Sequence, residues 1–80
     1  MPYTSDLIEE VNILARFNLS TTHEGIKVHS SADEDVITAT QRLYEKGLLT
    51  QADGGYLTPL GLKAAEHIQN ALLILTPTHH

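Results

Sequence analysis

The stretch QRLYEKGLLTQADGGYLTPLGLKAAE, residues 41–66, decides the fold that we predict for this chain. Gly47 is the residue type that most readily ends a helix in a left-handed conformation. Asp53-Gly54 is a strong signal for a hairpin turn. Thr58-Pro59 places a capping residue before a proline at the first helical position, where proline loses no hydrogen bond. The predicted elements are a helix ending at Lys46, strands at residues 48–51 and 55–58, and a second helix from Pro59.

The helix before Gly47 is predicted to span residues 33–46. It starts with a capping-box pattern, in which Ser31 and Glu34 satisfy each other's backbone N–H groups. The acidic run Asp33 to Asp35 lies in its first turn, where the helix dipole favours negative charge. Its periodicity predicts an inward stripe of Val36, Ala39, Thr40 and Leu43. Its outward face is predicted to comprise Glu34, Thr38, Gln41 and Glu45, flanked by Asp35 and Arg42.

The last helix is predicted to bury one wide apolar stripe, and residues 76–80 (TPTHH) to form a frayed tail. The inward residues are predicted to be Leu60, Ala64, Ala65, Ile68, Ala71, Leu72 and Leu75. Leu62, Leu73 and Ile74 fall off that stripe. A core of this size often gains stability by oligomerising, so we expect a homodimer. These three residues form either its seam, which we favour, or scattered apolar positions on the surface.

The first helix is predicted to span residues 4–17, with Thr4 or Ser5 as its cap. Its inward stripe is predicted to be Leu7, Ile8, Val11, Leu14 and Ala15. Ile13 and Phe17 lie off that stripe and are expected to pack on another element or another chain.

Residues 18–31 allow two interpretations. The capping-box spacing of Thr21 and Glu24 predicts a short helix over residues 22–28. Alternatively, Gly25 forms a turn and residues 26–29 form a short strand, in which Ile26 and Val28 alternate with polar residues. We favour the helix, because the elements that follow fit a fold with a helix at this position.

The bulk composition narrows the classes of function. The 80 residues are expected to form one domain, residues 1–80, without any Cys for a disulfide or thiolate metal site. The N-terminus lacks the pattern of a signal peptide, and no apolar run could span a bilayer, so we expect a cytoplasmic protein. His23, His29 and His67 lack zinc-site spacing, and no nucleophile lies on a recognisable strained turn. We therefore expect no metal, no cofactor and no enzyme activity.

Two motifs resemble a known family. RLYEKGLL (residues 42–49) and YLTPLG (residues 56–61) look like the "helix, Gly-Leu, wing, Leu-Thr-x-x-Gly" segment of bacterial winged helix-turn-helix regulators. The resemblance implies a mainly α fold with a small β-hairpin, in the order α-α-α-β-β-α. The whole sequence also resembles a family of small uncharacterised proteobacterial proteins, which are sometimes labelled DNA-binding because of their fold.

In winged-helix regulators the helix before the Gly-Leu enters the major groove. The resemblance thus implies a homodimeric DNA-binding transcription regulator whose recognition helix is residues 33–46. Thr38 and Gln41 would contact bases. The implied phosphate contacts are Lys27, Arg42 and Lys46.

The charges of this chain depart from the family pattern. The formal net charge is -5, from five Lys and Arg against ten Asp and Glu, whereas binding to nucleic acid depends on clustered cations. Asp33 to Asp35 occupy the end of the helix that would meet DNA, and the wing tip, residues 51–55, contains neither Lys nor Arg. The alternative hypothesis is a winged-helix fold used as a protein-protein interaction module, with the acidic helix face meeting a basic partner.

Overall fold

The computed structural model describes residues 3–20 and 24–77 of the chain. These residues form three helices and a small antiparallel sheet with the strand order β1-β3-β2. The elements are α1 (Ser5–Leu14), β1 (Ile26–Lys27), α2 (Glu34–Glu45), β2 (Leu49–Gln51), β3 (Gly54–Leu57) and α3 (Pro59–Leu75). The predicted mainly helical fold with a small hairpin is confirmed, and the observed order is α-β-α-β-β-α.

The exit from α2 forms as its sequence predicts. Gly47 has a φ of 81°, a left-handed conformation that costs glycine little. The backbone N–H of Leu48 donates to the carbonyl of Leu43 at 2.9 Å, and that of Gly47 donates to the carbonyl of Tyr44 at 3.0 Å. This pair of bonds is the Schellman motif, which satisfies the last carbonyls of the helix and turns the chain into β2.

The start of α3 is tied to the end of α2. The Thr58 hydroxyl accepts a hydrogen bond from the N–H of Gly61 at 3.0 Å and donates to the carbonyl of Gly47 at 2.6 Å. Gly61 is buried, and a Cβ atom there would overlap the carbonyl oxygen of Leu48. The predicted threonine cap is confirmed, and the absence of a side chain at Gly61 lets α3 approach the hairpin closely.

The segment between α1 and α2 differs from the favoured prediction. Ile26–Lys27 is a strand, in which Ile26 pairs with Gly55 and Lys27 with Gly54. The N–H of Val28 extends this contact by donating to the carbonyl of Asp53 at 2.8 Å. The helix predicted over residues 22–28 is therefore wrong for its part within the described residues, and the strand alternative is confirmed; Thr22 and His23 lie outside those residues.

The start of α2 also differs from its prediction. Its N-cap is Asp33, and the side chain of Asp33 makes no capping hydrogen bond. The capping box predicted from Ser31 is therefore wrong. The N–H of Ala32 donates to the carbonyl of His29 at 2.9 Å, so a turn occupies the residues where that box would have formed.

The core lies between the three helices and the inner side of the sheet. Its buried apolar members are Ile13, Leu14, Phe17, Ala39, Leu43, Leu49 and Ala65. The stripe predicted for α1 is displaced, since Ile13 and Phe17 are buried and Ile8 is about half exposed. The reason is that α1 packs against both α2 and α3, which turns Glu10, Ile13 and Leu14 inward. The helix ends at Leu14, short of the predicted residue 17, and Phe17 is buried just beyond it.

Helix α3 extends beyond the elements it packs on. Ala64 and Ile68 contact the core as predicted. The amide nitrogen of Gln69 donates to the backbone carbonyls of Leu14 and Phe17, at 3.2 and 2.8 Å. Past this point no described element lies alongside α3, so the inward positions predicted for Ala71, Leu72 and Leu75 are wrong and these residues are exposed. Leu60, at the start of the helix, was also predicted to face inward and is exposed.

Within residues 3–20 and 24–77, the helices are all too short or too polar to cross a membrane.

Candidate interaction surface of the first two helices

A buried carboxylate connects α1 to α2. The side chain of Glu10 on α1 is only 6% exposed and binds two cations of α2. The Nε of Arg42 donates to one carboxylate oxygen at 2.9 Å, and the Nζ of Lys46 donates to the other. Since Arg42 and Lys46 are four residues apart, they lie on the same side of their helix and reach one acceptor together.

A second acid extends this network toward the start of α1. The Nη2 of Arg42 donates to the backbone carbonyl of Asp6 at 3.1 Å and lies 3.8 Å from its carboxylate. Asp6 and Glu10 are themselves four residues apart, so an acidic pair on α1 faces a basic pair on α2. We name Asp6, Glu10, Arg42 and Lys46 the interhelix network.

The interhelix network shifts the pKa values of Glu10 and Arg42. Burial raises the pKa of Glu10, but the hydrogen bonds and positive charges of Lys46 and Arg42 outweigh this and hold that pKa below its usual range. The hydrogen bond to Glu10 raises the pKa of Arg42. Glu10 is therefore ionised at neutral pH, and its charge is compensated inside the helix interface.

The sequence contained a signal for this network that our predictions missed. Arg42 was placed beside the outward face of α2, and no partner on α1 was predicted for it. The usable signal was the matching four-residue spacing, with acids at 6 and 10 and bases at 42 and 46. Two helices that pack side by side can align such pairs.

The residues predicted to contact DNA lie in different places. Arg42 and Lys46 belong to the interhelix network, whereas Thr38 and Gln41 are exposed on α2. The Thr38 hydroxyl donates to the carbonyl of Glu34, four residues earlier, at 2.8 Å. Lys27 is exposed on β1 and lines a shallow groove on the sheet. The structure thus brings Thr38 and Gln41 together and holds Arg42 and Lys46 against α1.

Between the first turns of α1 and α2 lies a groove of about 200 Å³. Its lining residues are Ser5, Asp6, Glu9, Glu34, Asp35, Thr38 and Arg42. Four of these seven side chains are carboxylates, and the single cation is already bonded to Glu10 and Asp6. We name this feature the acidic groove.

The residues predicted for a dimer seam do not form one surface. Leu73 and Ile74 are 76% and 83% exposed near the end of α3. Leu62 is partly buried near its start, where it lines an apolar pocket with Phe17 and Leu57. At a rise of 1.5 Å per residue, about 16 Å of helix separates Leu62 from Leu73.

Across residues 3–20 and 24–77, His, Asp and Glu side chains nowhere converge in a group of three or more suited to a metal ion. His23, one of the three histidines considered from the sequence, lies outside the described residues.

This chain is a small, mainly helical protein in which an ion-pair network joins two helices beside a three-stranded antiparallel sheet. The chain belongs to a family of unknown function, DUF5669, whose model matches residues 1–76. Searches of the curated proteins and of the solved structures give no match to the chain.

Proposed function

We propose that this protein is a non-enzymatic interaction module that binds a basic segment of a partner protein through the acidic groove. One observation carries this proposal: Glu10 binds both cations of α2, Arg42 and Lys46, within the helix interface. The exposed charges that remain on α2 are carboxylates. A positively charged segment is attracted to such a surface, whereas a phosphate backbone is repelled.

The shape of the surface supports the same partner. The acidic groove is bounded by Asp6 and Glu9 from one helix and by Glu34 and Asp35 from the other. An extended lysine- or arginine-rich segment lying between these walls would meet carboxylates on both sides. Asp6 is largely exposed, with 71% of its side chain accessible, so it remains open to a partner despite its contact with Arg42.

DNA binding on a winged-helix fold is the second candidate. It is favoured by the hairpin that directly follows α2 and by the exposed pair Thr38 and Gln41 on that helix. In this alternative Thr38 and Gln41 contact bases and Lys27 contacts a phosphate. Arg42 and Lys46 would have to leave Glu10 before they could join them.

The homodimer predicted from the sequence is part of the proposal, with Leu73 and Ile74 in its interface. A cytoplasmic location in a bacterium, which the sequence and its resemblance favour, is also kept as part of it.

A pair of NMR titrations tests the proposed function. Isotope-labelled protein is titrated at low salt with a short lysine- and arginine-rich peptide, and separately with mixed-sequence duplex DNA. We expect the peptide to shift the backbone amides of Asp6, Glu9, Glu34 and Asp35, and the DNA to shift none. Binding of DNA that weakens steeply as salt is added would overturn the proposal in favour of the second candidate.

Matched variants test whether the groove is the binding surface. Glu34→Gln combined with Asp35→Asn removes two groove charges, and we expect it to weaken peptide binding about tenfold or more. Glu45→Gln combined with Glu66→Gln removes the same charge from exposed positions outside the groove lining. Equal losses in the two double variants would show attraction to net charge alone and would contradict a defined groove site.

A further inference from the structure

The end of α3 is an apolar surface that the described part of the chain leaves uncovered. Gln69 is the residue through which α3 bonds to the end of α1. About 9 Å of helix follows it, at 1.5 Å per residue. Leu72, Leu73, Ile74 and Leu75 are 42%, 76%, 83% and 76% exposed there. We name residues 71–75 the apolar end of α3.

This surface combines projecting side chains with a groove. Successive helical residues are about 100° apart, so four consecutive apolar residues surround the helix. Beside them lies a groove of about 460 Å³, lined by Ala15, Gln69, Leu72, Leu73, Thr76 and Pro77. Leu73 borders the groove, while the neighbouring Ile74 is the most exposed large apolar residue of the described chain.

We infer that the apolar end of α3 is the interface through which two copies of this chain associate, each placing its projecting side chains in the groove of the other. This inference rests on the homodimer in the proposed function and assigns its interface. A two-fold axis requires the same patch on both partners to be self-complementary. A groove and a set of projecting side chains on one helix end meet that requirement.

Charge limits where a second copy can dock. Each copy has a net charge of -5, so two copies repel each other wherever their charged surfaces meet. Residues 68–77 contain no ionisable side chain. Association through this segment therefore brings two acidic proteins together at a helix end whose own residues are uncharged.

The size of the surface predicts a dimer of modest affinity. The exposed fractions of Leu72, Leu73, Ile74 and Leu75 add up to nearly three fully exposed residues. Their exposed apolar area is on the order of 300 Å² per copy. Stable interfaces bury roughly 800 Å² per partner. The groove lining from Ala15 and Pro77 adds to the contact, and we expect dissociation constants in the micromolar range.

Sedimentation equilibrium of the full chain over a wide concentration range tests this inference. We expect a mass that rises from 8.8 kDa toward twice that value with concentration. Leu73→Gln combined with Ile74→Asn should raise the dissociation constant more than about a hundredfold. Leu60→Gln is the matched control, because Leu60 is 57% exposed at the opposite end of the same helix and should leave the dimer intact.

Three results would overturn the inference: a monomer at the highest concentration, a double variant that still dimerises as the wild type does, or an equal effect of Leu60→Gln. Co-sedimentation of wild-type monomer with phosphatidylcholine vesicles would assign the apolar end of α3 to a lipid surface instead. Failure of this inference is separable from failure of the proposed peptide binding. The double variant Leu73→Gln with Ile74→Asn retains every residue of the acidic groove and can be titrated with the basic peptide.

Discussion

Replacing Glu10 by Gln removes the charge at the centre of the interhelix network while keeping nearly the same shape. The wild-type carboxylate accepts hydrogen bonds from Arg42 and Lys46, whereas the amide retains one oxygen and turns an NH₂ group toward a cation. A hydrogen bond to a charged group contributes about 1.5–3 kcal/mol. Lys46 is half exposed, so solvent screens its contact and its share is nearer that of a surface salt bridge. We expect Glu10→Gln to cost about 2–3 kcal/mol.

The cost should depend on pH in a defined direction. The pKa of Glu10 is lowered in the folded protein from its ordinary value of 4.5. The stabilisation from the ionised carboxylate is therefore fully present above the unfolded pKa and is lost as pH falls through the folded pKa. The difference in free energy of unfolding between wild type and Glu10→Gln should be constant near neutral pH and shrink below about pH 4.5.

Urea unfolding followed by circular dichroism measures this difference, and urea is chosen because guanidinium would screen the charges. Glu45→Gln is the control, since Glu45 is exposed on α2 and surface changes of this kind stay within about 0.5 kcal/mol. If Glu10→Gln is no less stable than Glu45→Gln, the reasoning about a buried network is refuted. A deficit that persists unchanged at pH 3 would refute the assignment to the ionised carboxylate.

Three further substitutions test the fold by urea unfolding. Thr58→Ala removes the cap of α3 and its bond to Gly47, so we expect a loss of about 1–2 kcal/mol, which Thr58→Ser should largely restore. Gly61→Ala forces a methyl group against the Leu48 carbonyl and should cost about 1–3 kcal/mol; an unchanged stability would contradict the close packing. Gln69→Met leaves the carbonyls of Leu14 and Phe17 without their donor and should cost about 1–3 kcal/mol. Gln69→Asn keeps an amide donor, and it should be more stable than Gln69→Met only if the shorter side chain still reaches these carbonyls.

Local signals predicted the middle of the fold well. The Gly47 exit, the Asp53-Gly54 turn and the Thr58-Pro59 start each depend on residues within about six positions of one another. Backbone geometry and capping decide such features with little contribution from the rest of the chain. The sequence therefore predicted the order of α2, the hairpin and α3 correctly.

Contacts between distant residues explain what the sequence did not reveal. Ile26 pairs with Gly55, 29 positions later, and this pairing decided between strand and helix at a segment where local patterns favoured the helix. Glu10 and Arg42 are 32 positions apart. Only the packing of α1 on α2 turns Glu10 from a surface acid into a buried acceptor.

The α3 stripe shows a second limit of periodicity. The spacing of Ile68, Leu72 and Leu75 correctly places them near one side of the helix, and it contains no information about where the neighbouring elements stop. In the structure α1 ends beside Gln69, so Ile68 is partly buried and Leu75 is exposed. The same stripe that packs on the core at Ala64 and Ile68 is exposed over the last turn of the helix.

The two candidate ligands of α2 differ in what they require of the interhelix network. A phosphate that recruited Arg42 would leave Glu10, only 6% exposed, without one of its two compensating cations. An uncompensated buried charge costs several kcal/mol, so DNA contact through Arg42 would be opposed by the stability of the helix pair. A basic peptide in the acidic groove instead adds positive charge beside Asp6 and Glu34 and leaves the Glu10 bonds in place. This asymmetry is why we propose a cationic partner, and not DNA, for the exposed surface beside the interhelix network.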